Sequence, residues 1–430
     1  MVIRLSSPLR KLPALFLTIL AAAYLAYHIG LRAYVNWCIQ QPAKEHLQRA
    51  IALDPGNCAA YFQLGAYYTF ILQDLDLSHG EALLRQATRC QPLEGSYWLV
   101  LASALEANGR PQEATAAAQK GAALQPHNTL LLWRSGNLFL RTGQQEKAFE
   151  QFYRVLQGSP DFAQQVFTAC WNSTDDGDLI LRKAIPDTLD LDLAYLRYLA
   201  SPENLRLDEA QKAWNRLLGL GQGFPPEKTW DFFDALLNSG RAEQATRDWD
   251  QMVVAGCLPH EEMHATDDLV VNGGFEADPA GGGLDWRIVP VPGAVVETDN
   301  QTRHSGSKSL VVHFEGLTNL NFAHVAQVVP VKPQTEYRFS ASVKSRALTT
   351  LSGPYFEIFD PGDPVNFHWE SKPVLGTIEW SEQSLSLRTG PQTQLLIIRL
   401  RRKPAVELDK RIQGSLWIDD VHLSLARPNL

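Results

Sequence analysis

Hydrophobic and polar residues follow three successive patterns along this chain. Residues 12–31 are predominantly apolar and include no Asp, Glu, Lys or Arg. Residues 42–256 read as a series of helix-like stretches that end at turns or prolines. From Leu269 onward, short runs alternate apolar and polar residues between turns rich in Gly, Pro, Asn and Asp, which is typical of β-strands. The sequence therefore predicts an apolar N-terminal helix, an all-α region and a C-terminal all-β region.

The apolar run near the N-terminus has the length of a membrane span. About 20 apolar residues cross ~30 Å of hydrocarbon as a helix. Arg4, Arg10 and Lys11 precede the run and Arg32 closes it. Basic residues favour the cytoplasmic side. We therefore expect residues 1–11 to be cytoplasmic, residues 12–31 to form a transmembrane anchor and the rest of the chain to be extracytoplasmic, which is the periplasm in a Gram-negative cell.

Two other interpretations of this run stay open. A signal peptide cleaved at Ala21-Ala22-Ala23 would have the same basic start and apolar middle. The second interpretation is that the run forms a buried helix of a soluble protein. The run continues well past these alanines to Leu31, which favours an uncleaved anchor.

Prolines divide the all-α region at nearly constant intervals. Pro55, Pro92, Pro126 and Pro160 are 37, 34 and 34 residues apart. A helix-like stretch precedes each proline, and a new one follows each of the first three. A small residue lies five positions before three of the prolines; these residues are Ala50, Ala87 and Gly121. A fixed period of this length indicates a structural repeat.

Residues 42–160 resemble the tetratricopeptide repeat, a 34-residue helix-turn-helix unit. The second repeat shows this best, with Trp98, Leu101 and Ala102 in its first helix, a turn at Asn108-Gly109 and Ala114 at the close helix contact. Small residues let paired helices approach, and proline ends the second helix. The resemblance implies a solenoid whose concave surface binds a protein partner. Residues 161–256 are interpreted as a degenerate continuation, and residues 257–268 as a linker.

The all-β region, residues 269–430, resembles the jelly-roll carbohydrate-binding modules of families four and nine. Four segments carry the resemblance, in this order: Val271–Glu276, His304–Leu310, Val331–Tyr337 and Leu416–Val421. It implies an all-β jelly-roll sandwich and suggests a polysaccharide ligand, although relatives with this fold differ in function.

The resemblance also implies a structural calcium ion near the ends of this domain. By motif matching, Glu276 and Asp419 would supply side-chain oxygens and Gly274 a carbonyl oxygen. Calcium prefers such hard oxygen ligands. The alternative is that both carboxylates hydrogen-bond neighbouring turns. No other cofactor is expected.

A glycan site needs aromatic faces with a few polar groups around them. The segment 355–369 is the richest mixture of that kind in the domain. Its candidate binding residues are Tyr355, Glu357, Phe359, His368 and Trp369. Strand alternation would place Phe356 and Ile358 in the core and the first three candidates on the opposite face. Trp286, Trp380 and Trp417 are further aromatic candidates, and the last two are interpreted as core.

One motif invites an interpretation as an enzyme. His260-Glu261-Glu262-Met263-His264 matches HExxH, in which a helix holds zinc and supplies a general base. Pro259 directly precedes it, and no further histidine follows at the spacing of the extended motif. We interpret it as incidental and expect no enzymatic activity.

Cys58 and Cys90 fall at positions that a repeat brings together. Cys58 begins the first helix of a repeat and Cys90 ends the second, and these ends are neighbours in an antiparallel pair. An oxidising compartment would let a disulfide persist. The alternative is two separate small core residues.

Charge and composition narrow the classes of function. The formal net charge is −8, which gives no reason to expect nucleic acid as a partner. Five cysteines are too few for a disulfide-dense scaffold. The sequence thus favours a membrane-anchored scaffold that binds a protein and a glycan, in a setting such as exopolysaccharide assembly or export. An envelope scaffold that binds no sugar and a zinc hydrolase that uses HEEMH are the alternatives.

We predict that the mature protein keeps its first helix and stays in the membrane. The reason is the unbroken apolar run through Leu31. N-terminal sequencing of the native protein tests this, and a mature chain that begins near Tyr24 would contradict it.

Overall fold

The structure is a computed structural model that describes residues 8–41, 43–258, 268–405 and 410–426. The HEEMH motif and most of the predicted linker lie outside these residues. The chain divides into two compact units, Met1–Pro186 and Asp187–Leu430. The division falls within the stretch 161–256, which the sequence predicts as degenerate repeats.

The first unit is helical throughout its described residues. Its helices are α1 (Pro8–Gln40), α2 (Lys44–Leu53), α3 (Cys58–Phe70), α4 (Leu77–Cys90), α5 (Gly95–Ala107), α6 (Pro111–Leu124), α7 (Thr129–Arg141), α8 (Gln145–Gly158), α9 (Ala163–Trp171) and α10 (Gly177–Lys183). Helices α3 and α4, α5 and α6, and α7 and α8 form successive packed pairs. This is the helical-repeat region that the proline spacing predicts.

Prolines, asparagines and glycines set the ends of these helices. Helices α2, α4, α6 and α8 each end two residues before a proline, which lacks the N–H that a helix needs. Asn57 and Asn128 then cap α3 and α7 through side-chain oxygens that accept backbone N–H groups. Gly109 and Gly143, with φ of 71° and 73°, form the turns within two of the pairs.

Glycines allow the paired helices to pack closely. A Cβ on Gly121 would lie 2.8 Å from the carbonyl oxygen of Gly95, and one on Gly95 would lie 2.7 Å from that of Gly121. A Cβ on Gly136 would lie 2.4 Å from the Phe152 ring. Real Cβ atoms do not come this close to other atoms, so the predicted role of small residues at the helix contact is confirmed at Gly121.

Helix α1 extends beyond the apolar run on both sides. It covers Pro8–Gln40, whereas the sequence predicts a span of residues 12–31. Residues 15–40 are long and apolar enough to cross a membrane, and their most apolar window is not buried. Near its C-terminal end, Val35 and Cys38 are buried against Ala50 of α2 and Ala60 of α3. The helix therefore fits an anchor or a signal sequence, and its last turns belong to the repeats.

The second unit begins with two pairs of helices. They are α11 (Leu189–Ala200), α12 (Leu207–Gly219), α13 (Trp230–Asn238) and α14 (Ala242–Val254). The rings of Trp214, Phe233 and Trp249 are fully buried between them, with Phe233 5.8 Å from Trp214 and 5.6 Å from Trp249. Large aromatic rings therefore fill the space between these helices, next to fully buried alanines such as Ala213 and Ala245.

The rest of the second unit is a two-sheet antiparallel β-sandwich. Its strands are β1 (Arg287–Ile288), β2 (Ala294–Asp299), β3 (Ser309–Glu315), β4 (Phe322–Pro330), β5 (Glu336–Leu348), β6 (Tyr355–Phe359), β7 (His368–Glu370), β8 (Gly376–Arg388), β9 (Leu395–Arg402) and β10 (Gln413–Leu425). The first sheet has the order β1-β4-β9-β6-β7 and the second β2-β3-β10-β5-β8. Side chains from both sheets meet in one apolar core.

A loop of the sandwich with three consecutive glycines, residues 281–283, packs against the last two helices. A Cβ on Gly282 would lie 2.5 Å from the Trp230 ring, and one on Gly283 would lie 2.3 Å from the Trp249 ring. Arg287 of β1 also pairs with Asp234 of α13. The indole rings therefore pack directly on backbone, which fixes α13 and α14 against the first sheet.

We predict that Gly121→Ala destabilises the repeats by about 1–3 kcal/mol, because the new methyl group would force α5 and α6 apart. Chemical denaturation followed by circular dichroism measures the loss. Gly158→Ala is the matched control, since its Cβ would meet only Thr129 Oγ1, at 3.9 Å. Equal stability of the two variants would contradict the close-contact argument.

A charged and aromatic face on the first sheet

Four of the five glycan-site candidates lie on the outer face of the first sheet. Strand pairing sets Glu357 of β6 between Glu370 of β7 and Arg399 of β9. Phe356 and Ile358 point into the core, as the alternation predicts. We call the outer surface the Glu357 face; its members are Tyr355, Glu357, Phe359, His368, Glu370, Arg399, Arg401 and Lys403.

Glu357 is the centre of this face. The residue is 5% exposed, yet its carboxylate has several positively charged or polar neighbours. His368 Nε2 lies 3.0 Å from Oε1, Arg399 Nε donates to Oε2, and Arg401 Nε lies 3.9 Å from Oε2. Burial raises the pKa of Glu357, but the hydrogen bonds from His368 and Arg399 outweigh it and hold the pKa below its ordinary value.

Both aromatic rings of the face lie beneath cations. The Arg399 guanidinium carbon is 4.6 Å from the centroid of the Phe359 ring, and Lys403 Nζ is 5.6 Å from that of Tyr355. Lys403 also donates to Glu370 at 2.8 Å, and the Tyr355 hydroxyl donates to the same oxygen at 3.3 Å. The face is thus a network of cation–π and ion-pair contacts and not a bare stacking platform.

Trp369 is not brought to this face. It pairs with Ile358 in the β6–β7 register and packs, half-buried, against the sandwich core. The reason is the alternation of β7, which points His368 and Glu370 outward and the residue between them inward. The structure thus separates this candidate from the other four.

Glu357, His368 and Glu370 also have the composition of a metal site. Their ligand atoms lie within 4.8 Å of one another, and among the described residues they are the group with this property. However, Arg399 and Lys403 already bind their carboxylate oxygens. A further cation would meet these positive charges at close range, so the residues fit an ion-pair network better than a metal centre.

Two of the residues expected to bind calcium, Glu276 and Asp419, anchor turns through hydrogen bonds. Both oxygens of Glu276 accept the backbone N–H of Ser307, at 2.9 and 3.0 Å. Asp419 Oδ2 accepts the N–H groups of His304 and Ser305 at 2.7 and 3.1 Å. Gly274 precedes Glu276 in the adjoining turn. These hydrogen bonds fit the alternative that both carboxylates stabilise neighbouring turns. The calcium site stays a prediction.

The remaining tryptophans differ in their surroundings. Trp286 is buried in the sandwich core. Trp417 lies between the core residues Leu416 and Ile418, so it points outward from the second sheet, where its indole donates to Asp299 at 2.7 Å. Trp380, half-buried, lies 5.4 Å from the His304 ring and outside the core cluster. Trp417 is nevertheless buried, at 7% exposure, as its interpretation as core predicts, whereas the interpretation of Trp380 as core differs from its half-buried position.

The structure joins Cys58 of α3 to Cys90 of α4 in a disulfide, with Cα atoms 5.5 Å apart. The bond links the start of one helix to the end of its antiparallel partner. Cys38, Cys170 and Cys257 are free and buried. The disulfide thus closes the first complete helix pair.

Comparison with known proteins gives matches among solved structures only. No family model matches the chain, and no curated protein does. MamA matches at 18% identity and a TM-score of 0.29 and covers 41% of this chain and 85% of its own. YrrB, described as a TPR protein with an unusual peptide-binding site, matches at 16% and 0.25 and covers 46% of this chain and 82% of its own.

A family 4 carbohydrate-binding module also matches, at 16% identity and a TM-score of 0.26, and covers 36% of this chain and 99% of its own. At these values the matches carry no argument about function. The fold is therefore described from the helix pairs and the two-sheet sandwich themselves. The chain combines a tetratricopeptide-like helical region with a β-sandwich that resembles carbohydrate-binding modules.

We predict that Glu357→Gln destabilises the protein by about 1–3 kcal/mol at pH 7, because the variant loses charged hydrogen bonds from partners that are themselves partly exposed. A lowered pKa means that the ionised form is stabilised by folding. The difference from wild type should therefore be complete above the ordinary pKa of 4.5 and shrink as pH falls through the lower folded value.

Urea denaturation at pH 7 and pH 3 measures both effects. Glu382→Gln is the control, since Glu382 pairs with Arg338 on the surface and should change stability by less than about 0.5 kcal/mol. A destabilisation by Glu357→Gln that is the same at both pH values would argue against the ion-pair network.

Proposed function

We propose that this protein is a non-catalytic, membrane-anchored adaptor of the cell envelope. It binds a protein partner through its helical repeats and a glycan through the Glu357 face. The observation that carries the second part is the Glu357 face itself, where two aromatic rings, two carboxylates, an imidazole and three cationic groups share one side of a rigid sheet. Few, well-oriented polar groups beside apolar surface are typical of small-ligand and sugar sites.

The exposed rim of the face supplies the groups that a sugar would contact. The side chains of His368, Glu370 and Lys403 are 33%, 37% and 55% exposed. Glu370 accepts hydrogen bonds from hydroxyl groups, and Lys403 donates to ring and hydroxyl oxygens. Because Arg399 and Lys403 lie over the rings, hydrogen bonds contribute more to this binding than stacking does.

The helical repeats offer a surface for a peptide segment. Helices α3, α5 and α7 are neighbours: Phe62 stacks on Tyr97 at 4.3 Å, and Arg141 binds Glu106 through two bonds of 2.8 and 2.9 Å. On α7, Leu130 is 52% exposed. Leu130 lies in the first turn of this helix and Arg141 ends it, so apolar and charged groups lie about 16 Å apart along one helix, which suits an amphipathic partner segment.

The anchor and the disulfide support an extracytoplasmic location. We propose that α1 crosses the membrane with its N-terminus in the cytoplasm, in keeping with the basic residues before it. The Cys58–Cys90 bond is of the kind that persists in an oxidising compartment. Assembly or export of an exopolysaccharide is the setting that we propose for a membrane protein with both binding functions.

One observation favours a second candidate, an envelope scaffold that binds no sugar. Arg399 and Lys403 cover the rings of Phe359 and Tyr355 and tie the carboxylates beneath them. Such a face would then act as a structural ion-pair network. Sugar binding by the intact protein separates the two candidates.

We predict that the full-length protein in detergent binds a polysaccharide on a glycan array, and that His368→Ala weakens this binding about tenfold, because a hydrogen bond at the rim is lost. His313→Ala is the matched control, since His313 lies on the outer face of the second sheet beside Ser415. The absence of any glycan signal from wild type would favour the scaffold without sugar binding.

A further inference from the structure

The second sheet ends in a long strand that has a neighbour on one side only. Strand β8 (Gly376–Arg388) is last in the order β2-β3-β10-β5-β8 and pairs with β5. It has 13 residues, with no proline and no lysine. The other sheet edges, β1, β7 and β2, have 2, 3 and 6 residues. Proteins protect sheet edges by making them short or by placing proline or lysine there, so β8 is the edge that stays open to a further strand.

The hydrogen-bond pattern shows which backbone groups of β8 face the open side. The register with β5 is continuous over residues 381–388. Directly after them, the Thr389 N–H donates to the Thr335 carbonyl oxygen at 3.0 Å. Such bonds alternate along an antiparallel strand, so the odd-numbered residues bind β5. The even-numbered residues 382–388 therefore direct their N–H and C=O groups away from the sheet.

The side chains of this segment also separate by parity. Leu385 packs against the core of the sandwich, whereas the even-numbered residues are exposed on the outer face. Glu382 and Arg388 are the charged residues among them, one near the start of the segment and one at its end. A strand with opposite charges at its two ends is complementary to an antiparallel copy of itself.

One register satisfies both the charges and the backbone. With Leu385 of one copy opposite Leu385 of the other, each Glu382 lies opposite the Arg388 of the other copy, and each Ser384 lies opposite a Ser386. Even-numbered residues then face even-numbered residues, which allows about eight backbone hydrogen bonds between the strands. A shift by two residues in either direction keeps the backbone bonds but separates the opposite charges.

The neighbouring strand extends the charge pattern. On β5, Glu336 lies opposite Arg388, and Arg338 donates to Glu382 at 3.0 Å. Arg388 itself has no ion-pair partner among the described residues. Across two paired copies, the charges in a row would therefore be negative, positive, negative and positive. Opposite charges at facing positions stabilise strand pairing.

We propose that β8 is a dimerisation edge, at which two copies of this chain pair their β8 strands antiparallel about a twofold axis at Leu385. The two second sheets then form one continuous sheet. The self-complementary charges favour a second copy over a strand of another protein, since a twofold interface uses the same surface on both copies. This goes beyond the proposed function, because neither the repeats nor the Glu357 face takes part.

Sedimentation equilibrium of the full-length protein in density-matched detergent tests the proposal. We expect a reversible dimer whose dissociation constant rises about tenfold in Glu382→Arg and in Arg388→Glu, because two like-charged pairs replace two ion pairs. The double variant Glu382→Arg/Arg388→Glu should return to within about threefold of wild type. Glu297→Arg, on the opposite edge strand β2, is the matched control and should stay within about twofold.

Disulfide cross-linking measures the register. The native cysteines are either joined in the Cys58–Cys90 disulfide or buried, so an introduced thiol at an exposed position is the accessible one. A mixture of Ser384→Cys and Ser386→Cys should form linked dimers at least about threefold faster than either variant alone, because these positions face each other.

Two measurements guard against a misfolded variant. The melting temperature of each variant is compared with that of wild type, and Glu382→Gln, with an expected weakening of about threefold, replaces Glu382→Arg where the latter does not fold. A wild-type protein that stays monomeric would leave β8 to a strand of another protein and overturn the proposal. A dimer that the single charge reversals do not weaken, a double variant as weak as the single ones, or equal cross-linking rates would overturn it as well.

Discussion

Both units depend on glycines at which the backbone of one element packs directly on a carbonyl group or an aromatic ring of another. In the repeats, Gly95 of α5 and Gly121 of α6 each leave room for the carbonyl oxygen of the other. In the second unit, Gly282 and Gly283 let the indole rings of Trp230 and Trp249 pack on a loop of the sandwich. A methyl group at any of these positions would separate elements whose spacing sets every cavity and face nearby. Dense packing transmits such a displacement, because protein interiors have little free volume.

Much of the fold could be predicted because local sequence determines it. The proline period marks the helix ends of the repeats, and the alternating runs mark the strands, since both signals depend only on residues a few positions apart. The orientation of single side chains was harder to predict from the sequence. Trp369 faces the core because β7 pairs with β6 in one register, which places it beside Ile358. A shift of one residue would reverse every side chain of that strand, and the sequence of a three-residue strand does not fix its register.

The candidate sites depend still more on distant residues. Tyr355, Glu357 and Phe359 were found because they lie within one strand, whereas Arg399 and Lys403, which cover them, come from about forty positions later. The hydrogen-bond network around Asp248 was missed because it joins residues of α12 and α14 that are 33–37 positions apart in the sequence. One signal did exist: an acidic residue directly before a tryptophan, on the apolar side of an amphipathic helix, is rare without a structural or binding role.

The continuity of α1 has a mechanical consequence. At ~1.5 Å per residue, its 33 residues form a rod of about 50 Å, whose last turns are clamped by α2 and α3. A flexible tether would allow the repeats to tumble above the lipid and to absorb a pull by stretching. A continuous helix that is packed against the repeats cannot extend in this way. With α1 as the membrane anchor that we propose, a load on the repeats would therefore tilt the helix in the bilayer instead of lengthening it. The resistance of the lipid to that tilt would limit how far this unit moves.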